Sequence, residues 1–181
     1  IDQNLVIPSS VGEILIDGTV TVAEGAMLTI EPGVTLKFAA GAGIEVYGVL
    51  VAKGAAGEPV TFMSSADTPA SSDWFGIQVA SLGVVHLKYA EVRHAAKALD
   101  ASNVVRLILQ NTTLRDNGIG ISMEGYAGEV IARNCLIANN AQAGMYVPGG
   151  SVYWLWNCTI AENPIGIHIG DSRITMDNCI V

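Results

Sequence analysis

Charge is scarce in this chain. The 181 residues include only 9 Lys and Arg against 17 Asp and Glu, for a net charge of −8. That balance supplies no basic groove and excludes nucleic acid as a partner. No apolar run is long enough to span a bilayer, and no stretch carries a convincing helical period. A signal peptide and an initiating Met are also missing. A mature, processed chain or an excised part of a longer one is therefore expected. Cysteine is limited to three residues, none in a C-x-x-C pair, so no metal site and no cofactor is expected.

What the chain does have is a phrase that returns. It reads Gln110-Asn111-Thr112-Thr113-Leu114, Arg133-Asn134-Cys135-Leu136-Ile137, Trp156-Asn157-Cys158-Thr159-Ile160 and Asp177-Asn178-Cys179-Ile180-Val181. The asparagines are 134−111 = 23, 157−134 = 23 and 178−157 = 21 residues apart. A period near 22 in β-forming residues predicts a coil that winds and stacks on itself. A second strand in each unit pairs a small with a large residue: Ala98-Leu99, Gly120-Ile121, Gly144-Met145 and Gly166-Ile167. Tyr89 holds the Asn position of an earlier unit.

Alternation within the units assigns the faces. The residues two before the Asn position (Leu87, Leu109, Ala132, Leu155, Met176) are expected to point inward. So are those one after it (Ala90, Thr112, Cys135, Cys158, Cys179) and three after it (Val92, Leu114, Ile137, Ile160, Val181). Asn111, Asn134, Asn157 and Asn178 then mark a bend, because Asn tolerates the left-handed backbone region. Their amides are expected to bond from coil to coil at a buried position. On that reading the sequons at Asn111 and Asn157 would escape glycosylation.

The N-terminal part repeats at shorter range. Leu28-Thr29-Ile30 returns as Ile44-Glu45-Val46 after 44−28 = 16 residues. The expected organisation is one domain over 1–181, with shorter coils over 1–62, a loop at 63–73 and regular coils over 74–181. Cys179-Ile180-Val181 stops on an inward strand without a polar cap, so further coils, a cap or a partner subunit are expected to follow.

The run Met27-Leu28-Thr29-Ile30-Glu31-Pro32-Gly33-Val34-Thr35-Leu36-Lys37-Phe38 resembles the opening coils of bacterial right-handed parallel β-helix proteins of the pectin-lyase-like superfamily. Asp73-Trp74-Phe75-Gly76-Ile77 and the Asn-Cys-x-Ile units resemble the same superfamily's repeat region. The resemblance implies an all-β, right-handed, single-stranded parallel β-helix. It spans polysaccharide lyases, hydrolases, epimerases, adhesins and surface proteins, so it does not choose an activity.

Three groups of residues carry the functional expectations. Asp116 and Glu162 as carboxylates, His94 as base, and Arg93 and Arg115 for an anionic substrate form the best catalytic constellation. Two coils separate the carboxylates, roughly 10 Å at strand spacing, which is wide for an inverting pair. Ile108, Ile131 and Trp154 should form an outward apolar ridge beside Trp156, with Arg133 stacked on Trp156. Cys135, Cys158 and Cys179 should stack in one inward column as small apolar side chains, and disulfides between neighbours are geometrically open.

High apolar content and low charge read as a contact surface. The expectation is a non-catalytic structural or adhesive module, secreted or at the cell surface, whose partners are copies of itself or other surface proteins. Self-assembly would use the coil ends or the Trp face. A polysaccharide-binding or polysaccharide-cleaving protein is the alternative.

Overall fold

Short runs of aliphatic residues, closed by residues that accept the left-handed backbone region, fold here into coils of three strands each. A computed structural model describes residues 1–80, 82–101, 106–125 and 128–181. Its strands form three parallel sheets of eight, seven and seven strands. Sheet one runs Leu5–Ile7, Met27–Ile30, Val49–Lys53, Val84–Lys88, Arg106–Gln110, Glu129–Arg133, Val152–Trp156 and Arg173–Asp177. Sheet two runs Glu13–Ile16, Thr35–Phe38, Val60–Ser64, Ala90–Arg93, Thr113–Arg115, Leu136–Ala138 and Thr159–Ala161. Sheet three runs Thr19–Val22, Gly43–Val46, Trp74–Val79, Ala95–Ala101, Ile119–Ser122, Ala143–Val147 and Ile165–Ile169. A single 3-10 turn at Ser9–Val11 is the only helical element among the described residues. Among those residues, no helix is long and apolar enough to cross a membrane.

Each strand pairs with the strand one coil before and one coil after it. The inward residues therefore form columns. Leu87, Leu109, Ala132 and Leu155 align in sheet one, and Val92, Leu114, Ile137 and Ile160 in sheet two. Leu99, Ile121, Met145 and Ile167 align in sheet three. All but Ile167 of these are buried, and together they form one continuous core. Burying a Leu or Ile in this way contributes about 1.5–3 kcal/mol each. The columns open at the far coil, where Met176 and Val181 are exposed rather than enclosed.

The small residue before each large one in sheet three has a steric cause. A Cβ on Gly120 would stand 2.5 Å from the Gly144 carbonyl oxygen and 2.6 Å from Ile137 Cγ2. Trp74 of the third coil stacks on Phe38 of the second with ring centroids 4.0 Å apart, and its indole N–H donates to the Arg93 carbonyl of the fourth at 2.9 Å. That bond satisfies the one polar atom of a buried Trp.

The N-terminal coils are not shorter. Leu28 pairs with Leu50, 50−28 = 22 residues on, and Val20 with Ile44, 44−20 = 24 residues on. Leu28 and Ile44 belong to different sheets, so their 16-residue spacing compares two faces of one coil and measures no period. The irregular step follows, with Leu50 paired to Val85, 85−50 = 35 residues on. Two excursions fill that step. One is the turn at 54–59, closed by an Ala55–Glu58 bridge. The other runs over 65–73, beginning after Met63 and Ser64, which belong to sheet two.

Candidate functional site

Two corners of the coil place the polar side chains. Between sheets one and two, Tyr89, Asn111, Asn134, Asn157 and Asn178 adopt φ of 45, 49, 54, 53 and 51°. The amide N–H of Asn111 donates to the Arg133 carbonyl, and that of Asn134 to the Trp156 carbonyl, both at 2.9 Å. Their side chains form the expected ladder: Asn134 to Asn111 at 3.2 Å, Asn157 to Asn134 at 3.2 Å and Asn178 to Asn157 at 2.7 Å. The ladder is at the surface, however. Asn134, Asn157 and Asn178 are exposed and Asn111 is half-buried. The bend turns its side chains outward, so burial does not shield the two sequons.

The buried ladder lies at the next corner, between sheets two and three. His94, Asp116, Asn139 and Glu162 take positive φ there, at 66, 58, 54 and 57°. In the following coils, Asn117 and Asn140 are enclosed, with 0% and 1% exposure. The Asn117 amide oxygen accepts from the Ala95 N–H at 3.0 Å, that of Asn140 from Asn117 N–H at 3.1 Å, and that of Asn163 from Asn140 N–H at 2.9 Å. Their Nδ2 groups return bonds to carbonyls of the preceding coil: Val92, Leu114 and Ile137. Each amide thus satisfies backbone groups that the corner leaves without a sheet partner. Sequence reasoning overlooked this ladder, although Asn117, Asn140 and Asn163 are spaced 23 and 23 residues apart.

The catalytic candidates gather at this second corner. Asp116 and Glu162 occupy the same corner position two coils apart, with Asn139 between them, as the pairing of Arg115, Ala138 and Ala161 requires. His94 and Asp116 line an open cleft of about 330 Å³ with Asn139, Ala141, Pro69 and Ser71 of the 65–73 excursion. The charges are already engaged with each other. Arg115 bonds Glu91 and Asp116, each at 2.6 Å. Burial disfavours the Arg115 charge, but the Glu91 and Asp116 carboxylates outweigh it and raise its pKa. Arg93 reaches the Met63 sulfur at 3.4 Å. Burial, then the Arg93 charge, lowers the His94 pKa. Among the described residues, no carboxylate orients His94 by a hydrogen bond. Asp73 accepts from Ser64 at 2.6 Å and from the Ala70 N–H at 3.0 Å, and those bonds lower its pKa.

The outward face of sheet one carries the apolar ridge. Ile108, Ile131 and Trp154 are in register, and Gln110, Arg133 and Trp156 run beside them. Trp154 is 36% exposed, while Ile108, Ile131 and Trp156 are half-buried. The two indoles stack on each other at 5.8 Å with planes 7° apart, and the Arg133 guanidinium lies 4.7 Å from the Trp156 ring centre. The 65–73 excursion lies at the corner between sheets two and three, so it does not cover this ridge.

Sheet three holds a polar surface that the sequence did not single out. Tyr146 stacks on His168 of the next coil at 4.7 Å, and Lys97 bridges Asp100 at 3.1 Å and Glu124 at 3.4 Å. Lys97, Glu124, Gln142 and Tyr146 line an open cleft of about 400 Å³. Its signal was available: Tyr146 and His168 directly follow the stacking residues Met145 and Ile167.

The cysteines form the expected column. Cys135 and Cys158 are buried, Cys179 is half-exposed, and all three are free thiols. The Thr112 hydroxyl, one coil earlier, donates to the Leu87 carbonyl at 3.2 Å. The Cys158 and Cys179 thiols make the same contact to Ala132 and Leu155, each at 3.5 Å. Here Cys stands in for Thr as a donor to the preceding coil. Among the described residues, no cluster of His, Cys, Asp and Glu has metal-site geometry.

Three parallel sheets wound in register define a parallel β-solenoid. The family model for the right-handed beta helix region matches residues 60–181, and the chain belongs to that family. No curated protein and no solved structure matches it.

Proposed function

We propose that the chain is a non-catalytic structural or adhesive β-helix module, secreted or at the cell surface, whose contact surface is the outer face of sheet one around Trp154. The observation that carries this reading is the state of the two indoles. Their faces are turned toward each other, and the Arg133 guanidinium lies over Trp156. The stacked indoles extend the Ile108–Ile131 ridge into one apolar surface against which a protein partner can pack. The second corner supports a non-catalytic role, since Arg115 is neutralised by Glu91 and Asp116. The extracellular address rests on the resemblance to secreted and surface β-helix proteins.

Copies of the chain are the partner to test first. The wall is regular enough to align two faces, and the first coil adds a recess of about 290 Å³ lined only by apolar residues, among them Ile1, Leu5 and Ile14. Sedimentation velocity and negative-stain microscopy over a concentration series should reveal self-association. Trp154→Ala should weaken it by at least about tenfold, the size of a modest hot-spot truncation of about 1.4 kcal/mol. Monomers at every concentration would remove the self-assembly reading.

Polysaccharide binding or cleavage is the alternative, favoured by one observation. The sheet-three cleft combines an aromatic ring with Lys97, Glu124 and Gln142, the mixture of ring and hydrogen-bonding groups suited to a sugar. Binding of a polysaccharide by the monomer, lost in Tyr146→Ala and retained in Trp154→Ala, would establish it.

A further inference from the structure

The thiol column holds unused chemistry. Cys135, Cys158 and Cys179 occupy one position in three successive coils, and neighbouring coils stand about 4.8 Å apart. That spacing lies inside the Cα separation a disulfide accepts, about 4.4–6.8 Å. Cys158 and Cys179 are tied closely: the Ile180 N–H donates to the Cys158 carbonyl at 2.9 Å, and Ile160 N–H to the Ile180 carbonyl at 2.8 Å. Their burial differs. Cys158 is 1% exposed, while Cys179 is half-exposed.

We propose that Cys158 and Cys179 are an inter-coil disulfide pair, closed by exchange with a small-molecule disulfide that is first attacked by Cys179. The reaction runs in two exchanges. The Cys179 thiolate displaces one thiolate from the oxidant RSSR and forms the mixed disulfide Cys179–S–S–R. The Cys158 thiolate then attacks the Cys179 sulfur, forms the Cys158–Cys179 bond and expels the second RS⁻. The two thiol protons pass to the two RS⁻ groups, so two cysteines are oxidised and one RSSR is reduced to two RSH. Burial fixes the order, because only Cys179 meets a bulky oxidant.

The middle position of Cys158 suits the resolving step. Hydrogen bonding from Cys135 is the main cause that lowers its pKa, to about 6, and Cys179 bonds to it as well. The same pairing, followed by burial, raises the pKa of Cys135. Cys135 lies two coils from Cys179, roughly 10 Å at strand spacing, beyond the reach of a disulfide, and so stays out of the exchange. Closing the bridge replaces the thiol contacts to the Ala132 and Leu155 carbonyls with a covalent clasp between two coils.

The test treats the folded 181-residue protein with oxidised glutathione, then unfolds it and alkylates the remaining thiols with N-ethylmaleimide. Intact mass should fall from three adducts to one, and peptide mapping should find Cys158 joined to Cys179. Cys135→Ser should fall from two adducts to none. Cys179→Ser should keep both, and Cys158→Ser should stop at glutathione on Cys179. Serine retains a donor like Thr112, and circular dichroism of each variant reports its fold. Three adducts from oxidised wild type, a Cys135–Cys158 link as the main product, or a Cys179-linked dimer would each overturn the proposal.

Discussion

Two asparagine ladders climb this molecule at adjacent corners, and they are built from the same side chain at the same interval. At the corner between sheets one and two, the amides of Asn111, Asn134, Asn157 and Asn178 bond one another in contact with solvent. At the corner between sheets two and three, Asn117 and Asn140 are enclosed and bond the backbone as well as each other. Water competes for every bond in the outer ladder and is shut out from the bonds between Asn117 and Asn140. A lost outer bond is therefore replaced, whereas a lost inner bond leaves bare donors and acceptors. What the outer asparagines mainly contribute is backbone conformation, since each sits at φ near 50°.

Asn140→Ala should separate the ladders most sharply. It removes the acceptor for two Asn117 donors and the donor to the Leu114 carbonyl. A loss of about 3 kcal/mol follows for orphaned buried groups, seen in thermal unfolding as a Tm fall of about 6–12 °C. Asn134→Ala should cost less, about 1–1.5 kcal/mol, most of it because Ala lacks the local side-chain hydrogen bonding that lets Asn occupy the left-handed region. Asn134→Gly divides that figure, because glycine removes the amide yet enters that region freely. It should cost no more than a few tenths of a kcal/mol, and a Gly variant as damaged as the Ala variant would make the outer amides structural.

The smallest effect concerns charge at the inner corner. His94 has a folded pKa below its usual value, for which burial is the first cause. The unfolded chain therefore binds the proton more readily. Stability from this residue is complete above about pH 6.5 and is lost as pH falls toward the folded pKa. His94→Asn keeps a residue suited to the bend, as Asn139 shows two turns further on. It should flatten the pH dependence of denaturation below about pH 6.5.

Legibility in the sequence followed the strength of the period. Asn-Cys-x-Ile repeats with little variation, so the inward columns at Leu109, Cys135 and Ile137, the outer ladder and the Arg133–Trp156 contact were all readable. The inner ladder escaped because its neighbours vary: Asp116, Asn139 and Glu162 precede Asn117, Asn140 and Asn163, and the two carboxylates among them drew attention as charges. Similar residues on two faces misled in the N-terminal coils, where Leu28-Thr29-Ile30 and Ile44-Glu45-Val46 look like successive turns. Periodicity alone does not say which face a short aliphatic run occupies. The burial of the outer Asn positions was misjudged for a related reason, since spacing locates a bend without giving the direction of its side chain.

The one-to-one pairing of successive coils makes length a stepwise quantity in this protein. Asn111 and Asn134 are 23 residues apart and hold equivalent places. Removing residues 112–134 would join Asn111 directly to Cys135 and restore the Asn-Cys step already present at Asn134. Every face, corner and column would close over the gap, and the rod would shorten by one rung of about 4.8 Å. Removing a single residue from within a strand would turn the side chains that follow it in that strand to the opposite face. Change in such a wall is therefore admissible in whole turns, or in excursions such as 54–59 and 65–73 that leave the wall and return to it in register.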